Sequence, residues 1–165
     1  MKQVLAAITL SIALGAPAMA QNAGHIQQVQ SGQSCPDCNL FQANLSYRDL
    51  PNVNLSGARL RQADLSLATM NGARFDRADM SIANLFGARF TGASFAGTNF
   101  ERATLVGAHF GGANLAGANF TGANLSGAEM DRAHGLTQSQ LNAACGDAAT
   151  LLPRGLTISA CVVAR

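Results

Sequence analysis

Four cysteines are the residues of this 165-residue chain best suited to chemistry, and they lie in two pairs towards its ends. Cys35 and Cys38 flank Pro36-Asp37, whereas Cys145 and Cys161 lie near the C-terminus. In an oxidising compartment such cysteines usually form disulfides, although Cys-x-x-Cys is also the spacing of a redox motif and of half a metal site. Because the thioredoxin-like βαβ context of a redox motif is missing, we expect disulfides. A single cysteine pair is a poor basis for a metal site, so we expect none.

The other reactive residue types do not have the spacing of a catalytic centre. His25, His109 and His134 are isolated from one another, and the acidic residues occur singly. Gly111-Gly112 precedes no helix whose N-terminus could bind phosphate. We expect all three histidines to be solvent-exposed, and we predict a protein that is not an enzyme and binds no cofactor.

A repeat with a period of five determines the elements that hold these residues. A large apolar residue occupies every fifth position from Leu40 to Met130, usually with Ala two places before it. Helices repeat near 3.6 residues and strands near two, so neither has this period. A solenoid coil with four five-residue sides does have it, with the large residue and the Ala pointing inward. We predict stacked coils with the spacing of paired strands, roughly 4.8 Å.

The coil geometry also selects the cysteine pairing. Since the repeat builds several stacked coils, its two ends lie on the order of 20 Å apart. A disulfide requires Cα atoms within about 7 Å of each other. We therefore predict that Cys35 pairs with Cys38, and Cys145 with Cys161.

The repeat resembles the pentapeptide-repeat family. The run Asn-Leu-Ser-Gly-Ala from Asn124 to Ala128, with its neighbours, is similar to the family motif, roughly Ala-(Asp/Asn)-Leu-x-x. The resemblance implies an all-β solenoid, a right-handed quadrilateral β-helix, which we place over residues 35–132. It implies little about function, because the motif residues are structural and the family is functionally diverse. Some members mimic DNA and bind type II topoisomerases, and C-terminal caps in some members mediate dimers.

The N-terminal segments predict export. Residues 1–20 are typical of a secretory signal peptide, with Lys2, an apolar run from Val4 to Leu14 and the cleavage site Ala18-Met19-Ala20. We expect a periplasmic or secreted protein with no membrane span. Residues 21–34 are rich in Gln, Gly and Ser without periodicity, which predicts a flexible leader.

Residues 133–165 are predicted to cap the solenoid, whose last coil would otherwise expose its core and unpaired backbone edges. Thr137 is a helix N-cap, Gln140 completes a capping box, and Leu136 can pack on Leu141. Gly146 is the predicted end of this short helix.

An apolar strip is predicted on the outside of the coil. Residues twenty apart share a column, so Tyr47 and Leu67 lie in one outward column, Phe86 and Val106 in the next, and Ile82 at the neighbouring corner. We call these five residues the apolar strip. Such a strip can mark a partner or dimer surface. The alternatives are scattered surface residues, or a strip covered by the leader or the C-terminal tail.

The net charge of the chain argues against two classes of protein. Eleven Lys and Arg residues oppose nine Asp and Glu residues, a net charge of +2. This balance argues against a nucleic-acid binder, which needs a basic surface, and against an acidic mimic of DNA. We predict a non-enzymatic exported scaffold or interaction module, which binds an unknown protein partner or self-associates as a homodimer. The alternatives are a DNA-mimic topoisomerase-binding protein and a cell-envelope glycan binder.

Overall fold

The computed structural model describes residues 21–162, so the predicted signal peptide at residues 1–20 lies outside the described residues. Two helices and two short strands occur there: α1 (Ala23–Gln30), α2 (Gln138–Leu141), β1 (Cys145–Gly146) and β2 (Ser159–Ala160). β1 and β2 pair in parallel. Neither α1 nor α2, the helices of residues 21–162, has the length and apolar character needed to cross a membrane.

Between α1 and α2 the chain stacks on itself at a constant offset of twenty residues. Isolated parallel bridges join Asn39 to Arg59 and recur every five residues, as far as the bridge between Asn114 and His134. Each bridge is held by backbone hydrogen bonds such as that from the Leu40 N–H to the Arg59 carbonyl, 2.9 Å. Four five-residue segments therefore bring the chain back beside its own start.

The inward positions form one continuous core. Every large apolar residue of the repeat from Leu40 to Met130 is buried. Phenylalanines dominate the later coils, where rings twenty residues apart stack. The ring centroids are 4.9 Å apart for Phe75 and Phe95, and 5.2 Å apart for Phe100 and Phe120. Such pairs contribute about 0.5–1.5 kcal/mol beyond the burial of their area.

The corners of the coil have a left-handed backbone two residues after each large inward residue from Leu40 to Leu125. Glycine occupies ten of these eighteen positions, and eight other residues, including Tyr47, Leu67 and Ile82 with φ values of 57–58°, adopt the same conformation. A hydrogen bond such as that from the Ala43 N–H to the Leu40 carbonyl, 3.0 Å, closes the turn. A positive φ at the second central residue is typical of type II turns, and it is unfavourable for any residue with a branched Cβ.

Residues 21–34 contain α1, so the prediction of a flexible leader is wrong. The Asn22 side chain caps the helix by accepting the His25 N–H at 3.1 Å. Val29 is fully buried against the first coil. This apolar contact anchors a segment that is otherwise polar.

Polar side chains of the same segment take the place of a preceding coil. Gln30 Nε2 donates to the Asn44 carbonyl at 2.8 Å, and Ser34 Oγ accepts the Asn54 N–H at 2.8 Å. These backbone groups would have no coil before them to pair with. The Gln- and Ser-rich composition that predicts disorder therefore supplies hydrogen-bond partners to the first coil.

α2 begins as the sequence predicts but ends earlier. Thr137 is the N-cap, and its N–H donates to Gln140 Oε1 at 2.8 Å, which completes the capping box. The helix ends at Leu141 with Asn142 as C-cap, so the prediction that Gly146 ends it is wrong. Gly146 belongs to β1, because the chain resumes the parallel bridges of the repeat at Cys145.

Candidate interaction surface

The apolar strip lies on the outside of the described coil. Tyr47 is 76% exposed, Phe86 49%, Leu67 43% and Ile82 37%, while Val106 is half-buried. Each of these residues follows an inward Leu or Met by one or two positions, so the backbone that carries it is fixed by the core. The strip is thus a set of exposed side chains on a rigid frame.

Coil-to-coil hydrogen bonds set strip residues side by side. The Leu67 N–H donates to the Phe86 carbonyl at 2.8 Å, and the Gly87 N–H donates to the Val106 carbonyl at 2.9 Å. Gly87 leaves room for its neighbour, since a Cβ there would lie 2.8 Å from Leu67 Cδ2. The Leu67 side chain therefore covers Gly87, and the apolar surface continues from one coil to the next.

Polar side chains border the strip. Asn84 Oδ1 accepts the Phe86 N–H at 3.2 Å, and Asn84 Nδ2 donates to Asp64 Oδ1 at 3.1 Å. Ser66 lies in the same outward column as Phe86, and its N–H donates to Asp64 Oδ1 at 2.9 Å. An apolar patch with a polar rim results.

A second face carries an acidic group held by several donors. Arg74 pairs with Asp76 at 3.1 Å, and Ser94 Oγ and the Ala96 N–H also donate to the Asp76 carboxylate. Burial raises the pKa of Asp76, but the hydrogen bonds from Ser94, Arg74 and Ala96 outweigh it and hold the pKa below its usual value. This arrangement stabilises a structural carboxylate.

A cavity of about 460 Å³ opens on the later coils. It is lined by Thr91, His109, Gly111, Gly112, Arg132 and His134. It exists because Gly111 and Gly112 carry no side chains at outward positions. His109 Nδ1 lies 2.6 Å from Glu129 Oε2, and its ring lies over Gly111. The sequence did not point to this cavity, because a glycine pair there is typical of a turn.

The structure contains two disulfides, Cys35–Cys38 and Cys145–Cys161, with Cα atoms 5.5 and 4.7 Å apart. His25 lies beside the first. The prediction that His25 is solvent-exposed is wrong, because it is half-buried and its Nδ1 accepts the Asn39 N–H at 3.1 Å. The signal available in the sequence was Asn22, three positions earlier, as a helix cap.

The family model for pentapeptide repeats matches residues 38–77, 83–122 and 98–134, with eight copies that together cover more than half of the chain. The chain belongs to the pentapeptide-repeat family. Proteins of this family fold as right-handed quadrilateral β-helices, and the twenty-residue offset of the bridges is the repeat that four five-residue sides require. Pentapeptide-repeat proteins are generally structural or interaction proteins rather than enzymes.

Several solved structures are similar to this pentapeptide-repeat chain. Rfr23 from the cyanobacterium Cyanothece 51142 is 27% identical over 78% of this chain and 97% of its own, with a TM-score of 0.45. A protein of the Arabidopsis thaliana thylakoid lumen is 29% identical over 65% and 57%, with a TM-score of 0.32. QnrB1, a plasmid-mediated fluoroquinolone resistance protein, is 18% identical over 77% and 89%, with a TM-score of 0.28. No curated protein matches the chain.

Proposed function

We propose that this pentapeptide-repeat protein is an exported, non-enzymatic interaction module that binds a protein partner through the apolar strip. The observation that carries the proposal is the exposure of Tyr47, Leu67, Ile82 and Phe86 on a backbone fixed by the buried core. Exposed apolar surface with a polar rim is typical of protein–protein contact sites.

The cysteines support export. Disulfides persist in oxidising compartments, and the described cysteines are all paired. Together with the signal-peptide pattern of residues 1–20, this pairing favours an interaction in the periplasm or outside the cell.

We further propose that α1 and the C-terminal segment act as caps of the β-helix. Gln140 Nε2 donates to the carbonyls of Leu115 and Ala118, both at 2.9 Å, and Leu141 is fully buried. α2 thereby satisfies backbone acceptors at the end of the stack and covers the apolar interior there.

The net charge of +2 argues against the DNA-mimic alternative, since such a mimic requires a strongly acidic surface. A glycan-binding role stays a prediction. It would use Tyr47 and Phe86 as stacking platforms, and binding of the intact chain to a glycan array would distinguish it from a protein-binding role.

The test compares wild type with Phe86→Asp and with Leu151→Asp as the matched control. Leu151 has the same exposed fraction as Phe86, 49%, but it is bridged to Glu129, whose column contains no residue of the strip. We expect a cell-envelope protein captured by wild type to be lost with Phe86→Asp and kept with Leu151→Asp, while all three chains melt alike. Equal capture by the two variants would contradict a role for the strip.

A further inference from the structure

We propose that His25, Cys35 and Cys38 form a binding site for a thiophilic metal ion, of the class of Zn²⁺ or Cu⁺, when the Cys35–Cys38 bond is reduced. Their three ligand atoms lie within 4.8 Å of one another. Around a tetrahedral zinc ion, with bonds of roughly 2.0–2.3 Å, ligand atoms lie about 3.5–3.8 Å apart. In the disulfide form the two sulfur atoms are bonded to each other, so after reduction they must separate to roughly 3.8 Å before both can bind one ion. The sequence predicted no metal site because a cysteine pair alone offers too few ligands, and α1 adds the third.

The surrounding structure holds the two cysteines in place. The N–H groups of Cys35 and Asp37 each donate at 2.9 Å to carbonyls of the next coil, those of Asn54 and Ser56. Asp37 adopts a left-handed φ of 56°, which turns the chain between the cysteines. Both cysteines are buried, at 3% and 6% exposure. A buried thiolate pair on a fixed turn is a favourable setting for a soft metal ion.

α1 positions the nitrogen ligand. The helix is fixed at its start by the Asn22 cap and near its end by buried Val29, so His25 lies against the cysteine turn. In the disulfide form His25 Nδ1 accepts the Asn39 N–H, which requires a lone pair on Nδ1 and places the proton of the neutral ring on Nε2. A metal ion bound at Nδ1 takes the same lone pair. Metal binding therefore replaces a contact between α1 and the first coil.

The redox state decides whether the site can be used. A dithiol reductant breaks the Cys35–Cys38 bond with two electrons and two protons, which yields two thiols while the reductant becomes a disulfide. A divalent ion then displaces the two thiol protons and binds two thiolates and the imidazole. The newly synthesised chain also carries these thiols before they are oxidised. Disulfide formation and metal binding thus exclude each other, and three protein ligands leave one coordination position for water or another donor.

The second disulfide provides an internal control. In the described part of the chain, the group of His25, Cys35 and Cys38 is the only set of three such ligands close enough to share an ion. Cys161 Sγ has Asn124 Oδ1 at 3.3 Å and Ser126 Oγ at 3.6 Å as neighbours, with no histidine among these contacts. Reduced Cys145 and Cys161 therefore offer thiols without a nitrogen ligand.

The experiment titrates the purified chain with Co²⁺, a spectroscopic substitute for Zn²⁺, after anaerobic reduction by a phosphine. We expect one ion per chain, with thiolate-to-cobalt charge-transfer absorption in the near ultraviolet and tetrahedral d–d bands in the visible. The oxidised chain should show neither. A double variant, Cys145→Ser with Cys161→Ser, should bind as wild type does, whereas Cys35→Ser should lose the charge-transfer absorption.

Histidine variants test the third ligand. His25→Ala and His25→Gln should weaken cobalt binding by more than about tenfold. Replacing even a residue that only hydrogen-bonds to a metal ligand lowers the metal affinity by about that factor, and His25 is proposed to bind the ion directly. Circular dichroism of the oxidised variants shows whether α1 still forms, so that a loss of folding is not mistaken for the loss of a ligand. Absence of absorption in the reduced wild type, its persistence in Cys35→Ser, or unchanged affinity in both folded histidine variants would overturn the proposal.

Discussion

The two ends of the coil stack contact the segments beyond them in different ways. At the N-terminal end, side chains of α1 and the segment after it pair with backbone groups of the first coil, and a disulfide spans three residues. At the C-terminal end the backbone itself continues, because Cys145 and Leu151 bridge to Asn124 and Glu129, and a disulfide spans sixteen residues. Side chains make the contacts at the N-terminal end, and the main chain makes most of those at the C-terminal end.

These two sets of contacts differ in how well a local sequence pattern predicts them. The capping box of Thr137 and Gln140 has a local signature, so the start of α2 could be predicted, whereas its end at Leu141 and the bridges that resume at Cys145 could not. Contacts made by side chains leave no periodic pattern in the sequence. Gln30 bonds to the carbonyl of Asn44 and Ser34 to the N–H of Asn54, which lie 14 and 20 residues further along the chain. Residues 21–34, whose contacts with the first coil are made by side chains, therefore form a helix that their composition did not predict.

Truncation of the buried anchor at each end is expected to give the largest effects. Leu141→Ala should lower the free energy of unfolding by about 2–5 kcal/mol through the lost burial and the cavity left behind. Val29→Ala removes a smaller side chain and should cost less, about 1–3 kcal/mol. Urea denaturation of both variants measures these values. A Val29→Ala chain as stable as wild type would show that α1 is not packed as described.

The C-terminal disulfide should contribute more to the free energy of unfolding than the N-terminal one, as Leu141 should contribute more than Val29. Replacing Cys145 and Cys161 by Ser opens the sixteen-residue span and should cost about 3 kcal/mol, whereas replacing Cys35 and Cys38 should cost about 1.5–2 kcal/mol, because loop entropy rises with span. Chemical denaturation of the two serine pairs, both measured in the absence of metal, gives the comparison. Equal losses would argue that span length does not set their contributions.

Acidification should act on the C-terminal end through Asp147, with the smallest effect. The Gly127 N–H donates to Asp147 Oδ1 at 2.9 Å, and this bond, with those from Ala149 and Thr150, holds the pKa of Asp147 below its usual 3.8 despite some desolvation. Since the folded pKa is the lower one, the stabilisation is complete above the unfolded value and is lost as the pH falls through the folded value. Hydrogen exchange at the Gly127 amide should accelerate below about pH 4 relative to its intrinsic rate. Asp147→Asn should show no such pH-dependent change, and a wild-type profile identical to that of the variant would contradict this role.

The fold itself could be predicted because every coil repeats the same spacing of large apolar residues. Nineteen successive fifth positions carry a large apolar residue, and all of those residues are buried. The outward columns of the strip follow from the same arithmetic, so the five-residue period alone identifies Tyr47 and Phe86 as exposed. The neighbourhood of His25 could not be predicted, since it depends on the fold of a segment outside the repeat. The cavity beside His109 could not either, since it arises from the missing side chains of Gly111 and Gly112.

Site-specific photo-crosslinking in the producing cell tests directly whether the apolar strip contacts a partner. A photoreactive residue replaces Tyr47, the most exposed member of the strip, and in a matched chain it replaces Leu151. We predict a discrete crosslinked adduct from position 47 that Phe86→Asp abolishes, and no adduct from position 151. The same adducts from both positions, or none from position 47, would show that the strip is not the contact surface.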